Sequence, residues 1–321
     1  MTLLPRLAAG IALAFAATAV AAQAWPTKPV RIMVGASPGG GTDIIARLLA
    51  EKLAETFKQP FVVENRPGAS NTIAADITAK AAADGTTLLL ATNTAQAIAP
   101  HLLKLGYDPI KDLAPVSLII VVPNVIVMNT AIPASSVKEL VALMKAKPDS
   151  FSFGSSGTGS TQHLAGEAFK LATGTVATHV PYKGSSQALA DLVGGQIQLN
   201  FDTTSSAMSF IKSGKVKVLA VMTPKRSAEL PDVPTLAEAG YPGVEMSTWY
   251  GLYTTAGTPK PVIDRLHAEL ARIVKLPDVQ ARLASLGGEI GALTTEQFAA
   301  FARSDYERAG KLIRDAKVKI D

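Results

Sequence analysis

Short apolar runs alternate with segments of helical period along most of this chain. The first run, Val30–Val34, predicts a buried strand, and Ile44–Phe57 places its large apolar residues on one helical face. Further strands are predicted at Phe61–Glu64, Leu88–Ala91, Val125–Asn129, Phe151–Gly154, Thr178–Pro181, Ile197–Phe201, Val216–Val221 and Trp249–Thr254. Further helices are predicted at Ile73–Ala82, Gln96–Leu103, Val137–Lys147, Gln162–Thr173, Ser185–Val193, Pro261–Lys275, Pro277–Leu286 and Thr295–Lys317, with a short one after the turn Leu230–Leu236. This alternation is typical of an α/β fold.

A glycine-rich turn, Gly39–Gly41, connects the first strand to the first helix. Backbone N–H groups without side chains at a helix N-terminus form a site for an anion. Thr42 or Asp43 can cap this helix, and Asp43 can pair with Arg47 one turn later. We expect Gly40→Val to abolish anion binding and to leave the fold intact.

A second turn, Gly154–Thr161, also precedes a predicted helix and offers hydroxyl and N–H groups. It does not match a Gly-x-Ser-x-Gly nucleophile elbow, because Thr158 stands where the final glycine belongs. It is not a phosphate-binding Walker loop either, since no Gly-Lys-Ser/Thr follows. His163 lies one turn into the helix, where an isolated histidine is more often structural than catalytic.

Three other residues could face a ligand. Lys183 lies in a third turn, Tyr182–Ser186, is the one cation in the three turns and could pair with a carboxylate or be solvated. Asp202 follows a predicted strand and could bind an ammonium group or cap the next helix. Trp249 begins a late strand and could form the wall of a pocket or pack in the core.

The first 24 residues have the pattern of a secretory signal peptide. Arg6 forms the positive region, and the alanine-rich apolar stretch that follows is shorter than a membrane span of about 20 residues. Ala22-Gln23-Ala24 and Ala19-Val20-Ala21 both fit a cleavage site. We therefore expect a periplasmic protein, the alternative being an uncleaved membrane anchor.

Composition narrows the function classes. The chain has no cysteine, which excludes disulfides and a cysteine-linked lipid anchor. Its formal charge of +5 is scattered, and no basic stripe with aromatic residues indicates nucleic-acid binding. The four histidines are dispersed, so we expect no metal, no cofactor and no catalytic residues.

The order and spacing of many short motifs resemble the Bug family, the substrate-binding proteins of tripartite tricarboxylate transporters. The resemblance covers the chain after residue 24. The matching segments are Trp25–Arg31, Pro38–Asp43, Ala46-Arg47, Val63–Ala69, Ala83–Leu88, Gly157–Leu164, Val180–Gly184, Asp191–Gln196, Pro231–Thr235 and Trp249–Leu252.

The resemblance implies a two-lobed periplasmic binding protein fold, type II-like, in which each lobe is a sheet flanked by helices. The chain would cross between the lobes near Pro123–Val127 and Glu245–Tyr250. One lobe would comprise residues 25–124 and 247–321, and the other residues 125–246. The family also implies a small carboxylate ligand, membrane transporter subunits as partners and a monomeric receptor.

Turns and resemblance together predict a set of ligand-binding residues in which backbone amides and hydroxyls outnumber charges. These residues are Ala36, Ser37, Gly39, Gly40, Gly41, Thr42, Asp43, Asn93, Thr94, Ser156, Gly157, Thr158, Ser160, His163, Lys183, Asp202 and Trp249. Two other functions stay open at this point. One is a periplasmic sensor that presents its closed form to a signalling receptor, and the other is a secreted hydrolase that uses Ser156 or Ser160 with His163.

Overall fold

A computed structural model describes residues 25–315 of the chain. The predicted signal peptide, residues 1–24, lies outside the described residues. Among residues 25–315, no helix combines the length and the apolar character that a membrane crossing requires.

Two β-sheets, each flanked by helices, organise the described residues. The strands are β1 (Val30–Val34), β2 (Phe61–Asn65), β3 (Thr87–Thr92), β4 (Leu113–Pro123), β5 (Val125–Asn129), β6 (Ser152–Ser155), β7 (Thr178–Pro181), β8 (Leu199–Asn200), β9 (Val216–Val221), β10 (Ser247–Thr255) and β11 (Glu289–Ile290). The α-helices are α1 (Gly41–Phe57), α2 (Thr72–Ala79), α3 (Val137–Ala146), α4 (Thr161–Thr173), α5 (Ser185–Val193), α6 (Thr204–Lys212), α7 (Lys260–Ile273), α8 (Pro277–Ala284) and α9 (Thr295–Asp315). This arrangement confirms the predicted α/β class.

The six-stranded sheet has the strand order β11-β4-β10-β3-β1-β2. Strands β2 and β3 run parallel to β1, whereas β10, β4 and β11 pair in antiparallel fashion. We call this sheet and its helices the first lobe. Turns after the parallel strands β1 and β3 leave the same edge of the sheet, where ligands of open α/β sheets bind.

The five-stranded sheet has the order β7-β6-β8-β5-β9, with β6 parallel to both β7 and β8. We call this sheet and its helices the second lobe. The turns after β6, β7 and β8 lead into α4, α5 and α6, so three helix N-termini gather at one edge. Only β7, β6 and β8 run parallel there, since β5 pairs antiparallel with β8 and β9.

The core of the first lobe fixes the glycine-rich turn from both sides. Val30, Ile32 and Val34 of β1 are fully buried against Ile45 and Leu49 of α1. Burying a large aliphatic side chain contributes about 1.5–3 kcal/mol, so strand and helix are anchored in one apolar cluster. The turn between them consequently has little freedom to move.

Asn124 joins the two lobes at the point where β4 passes into β5. Its backbone N–H donates to the Met246 carbonyl at 3.1 Å, and its carbonyl accepts from the Met222 N–H at 2.8 Å. The fully buried side chain donates to the Phe201 carbonyl and accepts from the Thr248 hydroxyl, both at 3.1 Å. One side chain therefore bonds both lobes at the crossing.

We predict that Asn124→Ala lowers the free energy of unfolding by about 1–3 kcal/mol, because it leaves the buried Phe201 carbonyl without this donor and removes one of the two hydrogen bonds of the buried Thr248 hydroxyl. Urea titration of the two proteins measures the difference. Ser213→Ala is the control, since Ser213 makes an exposed hydrogen bond to a carbonyl and should change stability by less than about 0.5 kcal/mol. Equal stability of the two variants would contradict the role given to Asn124.

Candidate functional site

A narrow cavity of about 20 Å³ lies between the edges of the two sheets where the turns meet. Its wall consists of Ala36, Gly40, Gly41, Thr42, Asn71, Thr92, Thr94, Ser156, Thr161, Gln162, Ser185, Thr203, Ser206, Thr248 and Tyr250. None of these described lining residues carries a charge. The cavity therefore offers hydroxyl, amide and backbone groups to a ligand.

The N-terminus of α1 forms the first-lobe wall. Gly40 is its N-cap residue and has no side chain to occupy the helix terminus, so the prediction that Thr42 or Asp43 caps this helix is wrong. The Gly41 N–H donates to Ser206 Oγ of the second lobe at 2.9 Å. A helix N-terminus carries partial positive charge, which favours an anion there by about 0.3–1 kcal/mol.

Asp43 lies outside the cavity wall and accepts a backbone hydrogen bond within the glycine-rich turn. Its carboxylate accepts the Gly39 N–H at 2.9 Å and pairs with Arg47 at 2.9 Å, which confirms the predicted pair one turn apart. Burial opposes ionisation of Asp43, but hydrogen bonds from Arg47, Gly39 and Asn65 outweigh it and hold its pKa below the usual value. The negative charge nearest the glycine turn is thus neutralised before it can repel an anion.

Asp202 organises the second-lobe wall from behind. This fully buried carboxylate accepts hydrogen bonds from Ser185 Oγ at 2.8 Å, Asn200 Nδ2 at 3.0 Å and the Thr203 N–H at 2.7 Å. Burial raises its pKa. Thr203, not Asp202, is the N-cap residue of α6, so the interpretation of Asp202 as the helix cap is wrong.

Gln162 extends this network to the turn after β6. Its Nε2 donates to Ser185 Oγ at 3.1 Å, and its Oε1 accepts from Ser156 Oγ at 2.8 Å. A chain of hydrogen bonds therefore runs from Asp202 through Ser185 and Gln162 to Ser156, and it holds the Ser156 side chain at the cavity wall. The second wall is consequently rigid before any ligand arrives.

Hydrogen bonds across the cavity hold the two lobes together in a closed arrangement. Ser205 Oγ and Tyr250 Oη are 2.7 Å apart, and Thr161 Oγ1 and Thr248 Oγ1 are 2.8 Å apart.

Further hydrogen bonds join the two lobes at the rim of the cavity. Ser37 Oγ donates to the Lys183 carbonyl, and Ser70 Oγ donates to the Thr158 carbonyl. The Thr161 N–H donates to Thr94 Oγ1.

Close approach between the lobes occurs at Gly41, one residue beyond the glycine singled out from the sequence. A Cβ on Gly41 would collide with Ser205 Oγ and come within 2.9 Å of Tyr250 Oη. A Cβ on Gly40 would meet only the Ser37 carbonyl, at 3.4 Å, which is an ordinary contact. The close contact between the lobes is therefore at Gly41, and the expected loss of anion binding in Gly40→Val stays a prediction.

The closed cavity contains two polar atoms without hydrogen-bond partners among the described residues. They are Thr92 Oγ1, at the end of β3, and Asn71 Oδ1, just before α2. Thr92 is 4% exposed. A buried hydroxyl without a partner is costly, so this atom indicates where a ligand would form a hydrogen bond.

Six of the residues predicted to bind the ligand line the cavity: Ala36, Gly40, Gly41, Thr42, Thr94 and Ser156. Gly39, Ser37, Gly157, Thr158 and Ser160 belong to the two turns but do not line it. Asp43, Asn93, His163, Lys183, Asp202 and Trp249 lie outside the wall as well. The roles of all these residues in ligand binding stay predictions.

The residues outside the wall have other partners. Asn93 donates to the Ser247 carbonyl at 3.1 Å, and Ser160 caps α4 by accepting the His163 N–H at 3.2 Å. Lys183 is exposed and contributes its carbonyl to the bond from Ser37. Trp249 donates Nε1 to Asp305 at 2.8 Å on the far face of the sheet.

Sequence reasoning did not identify nine lining residues: Asn71, Thr92, Thr161, Gln162, Ser185, Thr203, Ser206, Thr248 and Tyr250. For Thr248 and Tyr250 a signal was available. Successive strand residues face opposite sides of a sheet, so Trp249 in the core places both of its neighbours toward the cavity.

His163 and His179 stack beneath the second turn with ring centroids 3.9 Å apart. His163 Nδ1 accepts the Gly159 N–H at 3.0 Å, and His179 Nε2 lies 2.7 Å from Ser155 Oγ. His163 has no hydrogen bond to the hydroxyl of Ser156, and Ser160 uses its hydroxyl as a helix cap, so neither serine is paired with this base. Across residues 25–315, no three His, Cys, Asp or Glu side chains come together as metal ligands would.

Burial lowers the pKa of both histidines, that of His179 to about 3. The unfolded chain, with a histidine pKa near 6.5, binds protons that the folded protein excludes, so stability falls as the pH drops from about 6.5 toward 3. We predict that His179→Gln removes roughly 1–2 kcal/mol of the loss between pH 6.5 and pH 4.5.

Urea unfolding at each pH measures this effect. His267→Gln, which removes an imidazole from the first lobe, is the control. If His179→Gln and the parent protein lose the same stability over this range, the histidine stack does not carry the pH dependence.

Comparison with known proteins identifies the family. The profile described as tripartite tricarboxylate transporter family receptor, TctC, matches residues 45–318. Protein BugT of Bordetella pertussis is 36% identical over 312 residues, covering 97% of this chain and 96% of that protein.

Comparison with solved structures leads to the same family. R. palustris Rpa4515 with adipate superposes with a TM-score of 0.89 at 35% identity, covering 92% of this chain and 99% of that one. MatC from Rhodopseudomonas palustris with bound malate gives a TM-score of 0.86 at 31% identity, covering 90% and 100%. These likenesses confirm the family and the two-lobed fold predicted from the motifs. The chain belongs to the receptor family of the tripartite tricarboxylate transporters, the periplasmic solute-binding Bug proteins.

Proposed function

We propose that this protein is a periplasmic receptor that closes on a small carboxylate in the interlobe cavity and delivers it to the membrane subunits of a tripartite transporter. Residues 25–124 and 247–321 would form one moving body and residues 125–246 the other. The receptor would act as a monomer, with its signal peptide removed after export.

The observation that carries the proposal is the meeting of two helix N-termini, those of α1 and α4, at a cavity lined by neutral donors. Gly41 and Thr161 open these helices, and both line the cavity. Each terminus directs partial positive charge and N–H groups toward the space between the lobes. This arrangement suits an acid with a polar group at each end.

The ligands named for two relatives support this chemistry. Adipate and malate, found with Rpa4515 and MatC, are both dicarboxylates. The closed cavity of about 20 Å³ has room for about one water, so a dicarboxylate would hold the lobes slightly farther apart than they are here. In that position it could direct one carboxylate to α1 and the other to α4. The unpartnered Thr92 hydroxyl would donate to the carboxylate that lies on the first-lobe side.

Delivery depends on the difference between the open and the closed protein. In the closed arrangement Ser37 and Ser70 bond to second-lobe carbonyls at the rim, and opening the lobes would break both bonds. A membrane partner that recognises the closed rim would therefore distinguish the loaded receptor from the empty one.

The first test is thermal unfolding of the refolded mature protein with malate, adipate, citrate and benzoate. A ligand at about 100 times its Kd should stabilise the protein by about 2.7 kcal/mol and raise the Tm by several degrees. We predict that Gly41→Val abolishes this shift, because the side chain collides with Ser205 and Tyr250 and blocks closure.

Gly194→Ala is the control, because Gly194 does not line the cavity, has a φ of −71° and would bring a Cβ no closer than 3.4 Å to another atom. It should bind the same acid. Cooperative unfolding of Gly41→Val without ligand shows that its lobes are folded. An unchanged shift in Gly41→Val would contradict the assigned cavity, and no shift with any acid in the parent protein would contradict carboxylate capture.

Thr92→Val tests the unpartnered hydroxyl. Valine keeps the shape of threonine and removes an atom with no protein partner, so the stability of the empty protein should be unchanged or higher. Affinity for the acid should fall roughly tenfold to a hundredfold, as expected for a lost hydrogen bond to a charged group. Calorimetric titration measures both Kd values, and equal values would exclude Thr92 from the ligand contacts.

A further inference from the structure

A second cavity lies in the first lobe, between the sheet and the C-terminal helix α9. It has a volume of about 60 Å³ and is lined by Gln96, Pro109, Ile110, Leu113, Pro115, Tyr253, Ala299, Ala302 and Arg303. A single water needs about 10–15 Å³ by this measure, so the cavity holds several waters or a small organic molecule. None of these residues lines the interlobe cavity.

Two buried polar atoms of this wall have no hydrogen-bond partner among the described residues. They are the Gln96 Nε2 amide, whose side chain is 3% exposed, and the Tyr253 hydroxyl, which is 2% exposed. Buried donors normally have partners, and both of these belong to the same small cavity. An acceptor in the cavity would supply the partner that these donors lack among the described residues.

Gln96 belongs to an unusual element. Residues Thr94–Ile98 form a short π-helix, a conformation that is rare and frequent at functional sites. Its first residue, Thr94, contacts the second lobe, whereas Gln96 faces the second cavity. The same turn therefore serves two different surfaces.

Charge determines which acceptor fits inside. Asp305 lies close enough to act on Tyr253, and burial followed by this negative charge raises the pKa of the tyrosine hydroxyl. The hydroxyl is thus a neutral donor, and a second anion beside it would be repelled and poorly solvated. A carbonyl or hydroxyl oxygen suits the interior better than a carboxylate.

The cavity lining also contains one positively charged side chain, that of Arg303. Arg303 is exposed, and no described residue forms an ion pair with it. A guanidinium group binds carboxylates through paired hydrogen bonds. Ile110 and Leu113 line the same cavity and give it apolar walls.

We propose that this cavity is a second binding site, for a short 2-oxo or 2-hydroxy acid that places its carboxylate on Arg303 and its inner oxygen on Gln96 and Tyr253. The small volume limits the occupant to a chain of about three or four carbons. The site is separate from the interlobe cavity and does not require lobe closure.

Calorimetric titration of the mature Gly41→Val protein with pyruvate and lactate tests the proposal, since this background blocks the interlobe cavity. Both acids should bind there. Affinity should fall at least tenfold in the added Tyr253→Phe and Arg303→Gln variants. Acetate, which lacks the inner oxygen, and acetone, which lacks the charge, should bind at least tenfold more weakly than pyruvate.

Tyr253→Phe removes a hydroxyl without a protein partner, so the variant should fold, and cooperative thermal unfolding verifies this. A crystal grown with pyruvate should show it bridging Arg303 and Tyr253. The proposal would be overturned by a crystal that shows only water in the cavity. It would also be overturned by equal affinities in Gly41→Val and in its two variants with Tyr253→Phe or Arg303→Gln added, or by loss of pyruvate binding in Gly41→Val itself.

Discussion

The contact between the N-terminus of α1 and the second lobe at Gly41 is the constraint on which the closed structure depends. The backbone there lies so close to Ser205 and Tyr250 that no side chain fits between them. This approach lets the Gly41 N–H bond to Ser206 Oγ across the cavity. Hydroxyl pairs that bridge the lobes, such as Thr161 with Thr248, can form only because the two backbones meet here.

Asp43 and Asp202 both lie near the cavity, and the protein compensates their negative charge in different ways. Asp43 stays charged and is neutralised by Arg47 and backbone donors on the outer side of the turn. Asp202 is sealed behind the wall, where burial raises its pKa and Ser185, Asn200 and the Thr203 N–H satisfy its oxygens. Both carboxylates hold residues next to the cavity in place, and neither lies in the cavity wall.

Local patterns predicted much of the fold. Val30–Val34, Val125–Asn129, Thr178–Pro181 and Val216–Val221 are strands with the predicted bounds. The long strand β4 was not predicted; it contains Pro115, opposite a register irregularity in β10. Proline normally occurs at a strand edge or an irregularity, so Pro115 argues against a strand in the local sequence. The strand forms because β4 pairs with β10 in the folded protein. The short helix expected after Leu230–Leu236 is absent from the described residues, and turns stand in its place.

The site was partly predictable for the same reason. Both glycine-containing turns are local signals, and residues from each reach the cavity wall. Asn71, Ser206 and Tyr250 come from distant parts of the chain and meet only when the lobes close, which no local spacing encodes. In the proposed function, this dependence on closure would let neutral donors both capture and release an acid. The helix N-termini of α1 and α4 would act on one ligand only while the lobes are together, because their effect falls off within a turn of each helix. Opening the lobes therefore removes half of the favourable field at once, whereas an arginine clamp on one lobe would retain the anion.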